Sequence, residues 1–223
     1  MKYSAVVFDV DGTLLNTAEG VLSAVRYAIE SCSLPPLSDK EMETFIGPPI
    51  QNSLMKYYGL NVDEAQRVAN IFRERYKGED LLKATPYEGI YPLLEQLKKR
   101  GIKIAIATYK RQDYARKLLK HFGFDRFTDI LYGADNQNKL KKKDIIEKCM
   151  IDMGITDYSK AVMVGDSDND AVGAHSLNMD FIGVTYGFGF KTAADVMEFN
   201  AAGCAEYPEQ IAKIIFGEGK SED

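Results

Sequence analysis

The chain has 223 residues, 45% of them hydrophobic, with 28 Lys and Arg against 33 Asp and Glu for a net charge of −5. That supplies apolar material for a full core plus a smaller accessory domain, and the mixed, slightly acidic charge carries no basic footprint for nucleic acid. No apolar stretch approaches ~20 residues and the first strand is interrupted by Asp9, so neither a membrane span nor a secretory signal is expected. The expected setting is cytoplasmic, with Cys32, Cys149 and Cys204 as buried free thiols.

Ala5 to Phe8 are apolar at consecutive positions, the pattern of a strand buried on both faces. The run ends in Asp9-Val10-Asp11-Gly12-Thr13. A desolvated carboxylate is costly unless paired or metal-bound, and the carboxyl end of a strand in an α/β sheet is where ligands bind. One aspartate of such a pair can attack phosphorus. The other can protonate a departing alcohol oxygen and then activate water. Gly12 allows a tight turn that brings N–H groups toward a phosphoryl oxygen. Taken alone, the segment also reads as an Asp-Gly hairpin turn.

From about residue 17 to 80 only helical patterns occur. Val21, Leu22, Val25, Ala28, Ile29 and Cys32 form one apolar stripe, and Ala65, Val68, Ala69, Phe72 and Tyr76 another. Asn16-Thr17 is expected to cap the first helix. Gly47-Pro48-Pro49 reads equally as a rigid turn over the site and as a plain helix–helix corner. From Thr85-Pro86 onward, helices expected near 88–99, 110–121, 142–153 and 208–215 alternate with strands near 102–107, 129–132, 161–165 and 181–185. That alternation predicts a parallel sheet of βα units. Gly187-Phe188-Gly189 reads as a tight turn, and the polar tail at 217–223 is expected to fray.

Two of these strands also end in chemistry. Lys103 to Ala107 runs into Thr108, and Ala161 to Val164 runs into Gly165-Asp166-Ser167-Asp168-Asn169-Asp170. Between them, Lys139-Leu140-Lys141-Lys142-Lys143-Asp144 opens an amphipathic helix. Together the set offers a nucleophile, an acid, a hydroxyl donor, a phosphate cation and a metal seat. The acidic run also matches the opening of an EF-hand loop, but that loop needs Gly and Glu where this chain has Ala171 and Leu177.

With these motifs in this order, the chain resembles the haloacid dehalogenase superfamily of phosphohydrolases over essentially its whole length. Phe45-Ile46-Gly47-Pro48-Pro49 and Gly183 to Gly189 are similar to the phosphoglycolate phosphatase branch. The resemblance implies an α/β, Rossmann-like parallel-sheet core (1–16 and 84–223) with an inserted all-helical cap (17–83), hinged near 14–18 and 80–86. It makes Asp9 the nucleophile and a metal ligand, and Asp11 the general acid/base and a metal ligand through its backbone carbonyl. Thr108 and a lysine, with Gly12, would bind the phosphoryl group. Asp166 would complete the metal shell, and Asp170 would support the lysine or a metal-bound water.

The motif lacks the Lys-Pro of many relatives; alignment on Asp144-Ile145-Ile146 favours Lys142, with Lys141 and Lys143 open. Asp9, Asp166, Asp170 and a phosphate dianion in one place require a divalent cation, since a single unit-charge repulsion at 4 Å costs about 4 kcal/mol at an effective dielectric near 20. An all-oxygen donor set suits Mg²⁺. The expected reaction is hydrolysis of a small, phosphoglycolate-like phosphate monoester by a monomer through an aspartyl-phosphate. Dehalogenation is disfavoured, because Asp11 serves a leaving oxygen. A sugar phosphomutase, a pyrophosphatase or a nucleotidase could use the same core. A receiver-type signalling module shares Asp, Thr, Lys and Mg²⁺ but lacks a helical insertion, and a silent binding protein would lack turnover.

Overall fold

In the computed structural model of the protein, residues 2–78, 80–137 and 139–217 are described. The chain enters through strand β1 (Ala5–Phe8) and a short β2 (Leu15–Asn16). Four helices follow: α1 (Ala18–Ser31), α2 (Asp39–Glu43), α3 (Ile50–Tyr58) and α4 (Val62–Tyr76). The chain returns through β3 (Thr85–Pro86), α5 (Ile90–Lys99), β4 (Lys103–Arg111), α6 (Gln112–His121) and β5 (Leu131–Ala134). It then runs α7 (Lys142–Asp152), β6 (Ala161–Gly165), α8 (Asp168–His175) and β7 (Asp180–Val184). The last elements are α9 (Ala193–Met197), β8 (Gly203–Ala205) and α10 (Pro208–Phe216). Beyond Gly217 the expected polar tail lies outside the described residues.

The main sheet has six parallel strands in the order β5-β4-β1-β6-β7-β8. Its first strand is central, and the chain moves first to one side of it and then to the other. The strand order therefore reverses at β1, where β4 and β6 flank it and a crevice opens at the carboxyl ends. Alternation divides the strand residues between two cores. Val6, Phe8, Ile104, Ile106, Val162 and Val164 pack on one face with α5, α6 and α10; Ala5, Val7, Ala105, Ala107, Ala161 and Met163 pack on the other with α7 and α8. Both faces are covered, which is why the strands read as continuous apolar runs rather than alternating ones.

The helical stripes of the insertion are buried as their spacing requires. Val21, Val25, Ala28 and Ile29 of α1 face Ala65, Val68, Ala69 and Tyr76 of α4. Asn61 closes a capping box with Glu64 at the start of α4, and Ser38 does so with Glu41 at α2. The first helix is capped differently from expectation. Thr17 is its N-cap residue, but its hydroxyl is turned to Asp11, and the Ala18 N–H is taken by the Asn16 side chain at 3.1 Å. The two linkers pair with each other as antiparallel β2 and β3, Leu15 opposite Pro86 and Asn16 opposite Thr85. Asp80, 1% exposed, fixes the returning linker through Arg75 and Lys83, each at 2.8 Å. Of the three cysteines only Cys149 is buried; Cys32 ends α1 and Cys204 sits in edge strand β8, both half-buried. No described helix is long and apolar enough to cross a membrane.

Candidate active site

Asp9 follows the last residue of β1 and its N–H still donates to the Val164 carbonyl at 2.9 Å, so the central strand delivers it rigidly. Asp166 follows β6 directly, and Asp170 lies in the first turn of α8. Carboxylate oxygens of Asp9, Asp166 and Asp170 lie within 4.8 Å of one another, all buried. Lys142, the first residue of α7, reaches in from the side: Nζ is 2.7 Å from Asp9 Oδ1 and 2.6 Å from Asp170 Oδ1. Lys141 and Lys143 are exposed.

One ammonium cannot balance three carboxylates in a dry pocket, and the proton affinities record it. Burial pushes Asp9 up to about 8, with Asp170, Asp11 and Asp166 adding to the rise against the pull of Lys142. Burial and then Asp170 push Asp166 up to about 7, opposed by two backbone N–H groups. Burial alone would weaken the Lys142 ammonium, yet Asp170 and Asp9 outweigh it and hold the lysine above its ordinary value. The surplus negative charge and the all-oxygen donor set fit a hard divalent cation held by Asp9, Asp166 and Asp170.

The surroundings of this cluster are backbone-built. Asp166 Oδ2 accepts N–H groups from Phe188 at 2.7 Å and Gly189 at 3.0 Å, so the glycine-rich turn after β7 wraps one carboxylate of the cluster. Gly12 has φ +81°, and a Cβ there would sit 2.1 Å from Asp166 Oδ2. Gly12 was expected to let the turn bring N–H groups toward a phosphoryl oxygen; its own N–H donates to the Leu15 carbonyl at 3.0 Å, and the missing Cβ leaves room for Asp166. Gly12→Ala is accordingly expected to displace Asp166 and to cost about 1–3 kcal/mol of backbone strain, read as a fall in thermal midpoint together with weakened Mg²⁺ binding by calorimetry. An unchanged midpoint and unchanged metal affinity would contradict this packing argument.

The charge of Asp11 acts on Asp9, and Thr108 follows the part of β4 that pairs with β1, Ile106 lying opposite Phe8. The register between β4 and β5 shifts between Ala107 and Arg111, a bulge that re-aims Thr108, Tyr109 and Lys110. Thr108 Oγ1 accepts the Lys110 N–H at 3.1 Å, which leaves its own proton to donate. The Tyr109 hydroxyl accepts the Lys142 N–H at 2.9 Å. Asp11 Oδ1 takes the Thr17 hydroxyl and lies 3.0 Å from Lys110 Nζ. Lys110 also contacts the Tyr76 hydroxyl of α4 at 2.9 Å. Burial would lower this ammonium, but Asp11 and Tyr76 hold it above the ordinary lysine value.

Sequence reasoning did not single out Lys110. Its signal was the one that marked Asp9: a charge directly after an apolar strand, here two residues past Thr108. Gly47, Pro48 and Pro49 line a cavity of about 80 Å³ together with Asp11, Lys110 and Arg73. The proline turn therefore faces the site.

Comparison with known proteins agrees with this geometry. Residues 6–184 match the haloacid dehalogenase-like hydrolases. A 5'-nucleotidase of Pseudomonas aeruginosa is 32% identical over 189 residues, 85% of this chain and 86% of that protein. Pyrophosphatase PpaX of Halalkalibacterium halodurans is 32% identical over 187 residues, covering 83% and 85%. The crystal structure of a predicted phosphatase from Clostridium acetobutylicum is 30% identical and superposes with a TM-score of 0.90, covering 97% of this chain and 100% of that one. The strand order, the carboxylates at the strand ends and the match over most of the chain lead to one conclusion: this protein belongs to the haloacid dehalogenase-like hydrolases, among their phosphatases.

Proposed function

We propose that the protein is a Mg²⁺-dependent phosphatase of small phosphate monoesters, phosphoglycolate-like in size, acting through an aspartyl-phosphate on Asp9 as a cytoplasmic monomer. The observation that carries this reading is the convergence of Asp9, Asp166, Asp170 and Lys142 at the carboxyl ends of adjacent strands, next to a cavity of only about 80 Å³. The helical segment 17–83 acts as the cap, placing Arg73, Tyr76 and the Gly47-Pro48-Pro49 turn around the leaving group and keeping water from it.

In this mechanism an oxygen of Asp9 forms a bond to phosphorus as the ester P–O bond breaks, and Asp11 gives its proton to the departing alkoxide. Water then attacks the aspartyl-phosphate, passing a proton to Asp11 as the Asp9–phosphorus bond breaks. Thr108 donates its hydroxyl to a phosphoryl oxygen, and Lys142 supplies positive charge to the same group. When bound by Asp9, Asp166, Asp170 and the Asp11 carbonyl, Mg²⁺ supplies the charge neutralisation that lets a carboxylate approach a phosphate dianion. Phosphate release from phosphoglycolate, sugar phosphates, nucleotides and pyrophosphate, with and without Mg²⁺, tests the reading. Mg²⁺-dependent turnover of the small esters is the expected result; absence of turnover on the whole panel overturns it, and isomerised sugar phosphate would put a mutase in its place.

The proton affinities give a second test that does not need a substrate. Asp9 and Asp166 bind protons more tightly folded than unfolded. Their stabilising contribution is complete below the ordinary carboxylate range and is lost as pH rises through about 7 and about 8. Metal-free protein is therefore expected to melt lower at about pH 8.5 than at about pH 5.5, by on the order of 5 °C. Mg²⁺ should remove the difference. A metal-free midpoint that is flat or rises over this interval would contradict the assignment.

A further inference from the structure

The phosphoryl chemistry leaves one feature of the cavity unexplained. Arg73 of α4 is only 8% exposed, and its Nη1 donates to both the carbonyl and Oδ1 of Asn136 at 2.9 Å. Arg111 Nη1 donates to that same Oδ1 at 3.3 Å. Two guanidiniums that line the cavity thus converge on one neutral oxygen. Arg111 has a counter-ion, meeting both oxygens of Asp113 at 2.6 Å. Arg73 forms no direct ion pair among the described residues: its hydrogen bonds go to Asn70 and Asn136, and the charges of Asp135 and Asp113 reach it only from beyond ion-pair distance.

The two carboxylates that line the cavity are already engaged. Asp11 faces Lys110 and Thr17, and Asp135 accepts the N–H groups of Gln137, Lys139 and Leu140 within its own loop. A buried cation beside a second cation is costly unless an anion joins it. The planar fork of arginine suits a carboxylate or a phosphate.

We propose that Arg73 is a specificity-determining residue, and that the alcohol portion of the substrate carries a second anionic group which Arg73 binds in this cavity. The inference rests on the phosphatase reading above and deepens it, because it names the substrate class as small phosphate esters with a carboxylate or second phosphate on the leaving group.

The test compares kcat/KM for 2-phosphoglycolate, propane-1,3-diyl bisphosphate and the uncharged 2-hydroxyethyl phosphate. The wild type is expected to prefer at least one of the two anionic esters over hydroxyethyl phosphate by about 100-fold, and which of them leads identifies the second anion as carboxylate or phosphate. Arg73→Gln should collapse that ratio to within about threefold, chiefly through KM, and Arg73→Lys should retain about tenfold. The lysine variant keeps the charge, so it reads the ratio even if the glutamine variant does not fold. Equal kcat/KM for all three esters in the wild type would overturn the inference. So would variants in which all three esters fall together at an unchanged ratio, because Arg73 would then only tie the insertion to Asn136. No turnover of any ester by the wild type would bring down the phosphatase reading itself, and this inference with it.

Discussion

Asp9→Asn is expected to lower turnover of phosphate esters by at least about 10⁴-fold while raising the thermal midpoint of the metal-free protein. The two effects have one origin. The amide oxygen is uncharged and cannot form a stable bond to phosphorus, so the covalent route closes. The same neutrality removes one of three carboxylates crowded within 4.8 Å of one another. Lys142 keeps its contact with Asp170 Oδ1 at 2.6 Å, so the substitution leaves no bare ammonium behind. At about pH 8.5, where burial no longer keeps Asp9 protonated, the rise should be a few degrees, at roughly 2–4 °C per kcal/mol for a chain of this size. Calorimetry and a phosphate-release assay on one preparation check both. Retained turnover would remove Asp9 from the nucleophile's place, and a midpoint that drops would mean its charge is already balanced.

Lys142→Met reverses the sign on stability. The lysine stem is enclosed, since a Cβ on Gly173 would lie 2.9 Å from its Cγ, and methionine fills a similar volume. What is lost is the ammonium between Asp9 and Asp170. Removing one partner of a buried ion pair costs about 3–5 kcal/mol, so the midpoint should fall by about 6–20 °C. The deficit should shrink at acid pH, where protons on Asp9 and Asp166 take over the lost neutralisation. Turnover should fall by about 10²–10³-fold, the range seen when one preorganised electrostatic partner is deleted. Lys141→Met and Lys143→Met alter exposed side chains and are the controls.

What the sequence disclosed followed the cost of burial. A strand covered on both faces must be apolar throughout, so Ala161–Gly165 was bounded correctly and Ala5–Phe8 stood out at once. Carboxylates at the ends of such runs are anomalies, which is why Asp9, Asp11 and Asp166 were visible without coordinates. The strand ending at Arg111 was cut short at 107, because its last residues form a bulge of polar side chains with no hydrophobic signature. Helix α8 was missed because it starts inside the acidic motif, where Ser167 and Asp170 make a capping box instead of an apolar stripe. Three-residue β8 and five-residue α9 are too short for any period to show.

At the site, Lys142 could be favoured over its neighbours only by alignment. Its enclosure by Tyr109 and Gly173 is tertiary information. The N–H groups of Phe188 and Gly189 that hold Asp166 belong to the backbone, and side-chain chemistry does not announce them. Arg73 was hidden for a related reason. On a helix whose apolar stripe was identified from Ala65 to Tyr76, an arginine reads as part of the wet face, yet only 8% of it is exposed.

The pairing of Leu15 and Asn16 with Pro86 and Thr85 has a consequence for how such a protein can change. Entry to the insertion and exit from it are neighbouring strands, so to the sheet the whole helical segment is a single long hairpin loop. The entropy of closing such a loop grows only with the logarithm of its length, about 0.6 kcal/mol per doubling. A longer, shorter or wholly different insert could be spliced between the same two strands with little penalty to the catalytic layer. On the proposed reading, selectivity and chemistry can then vary as separate segments of one chain, with the paired strands β2 and β3 as the splice point.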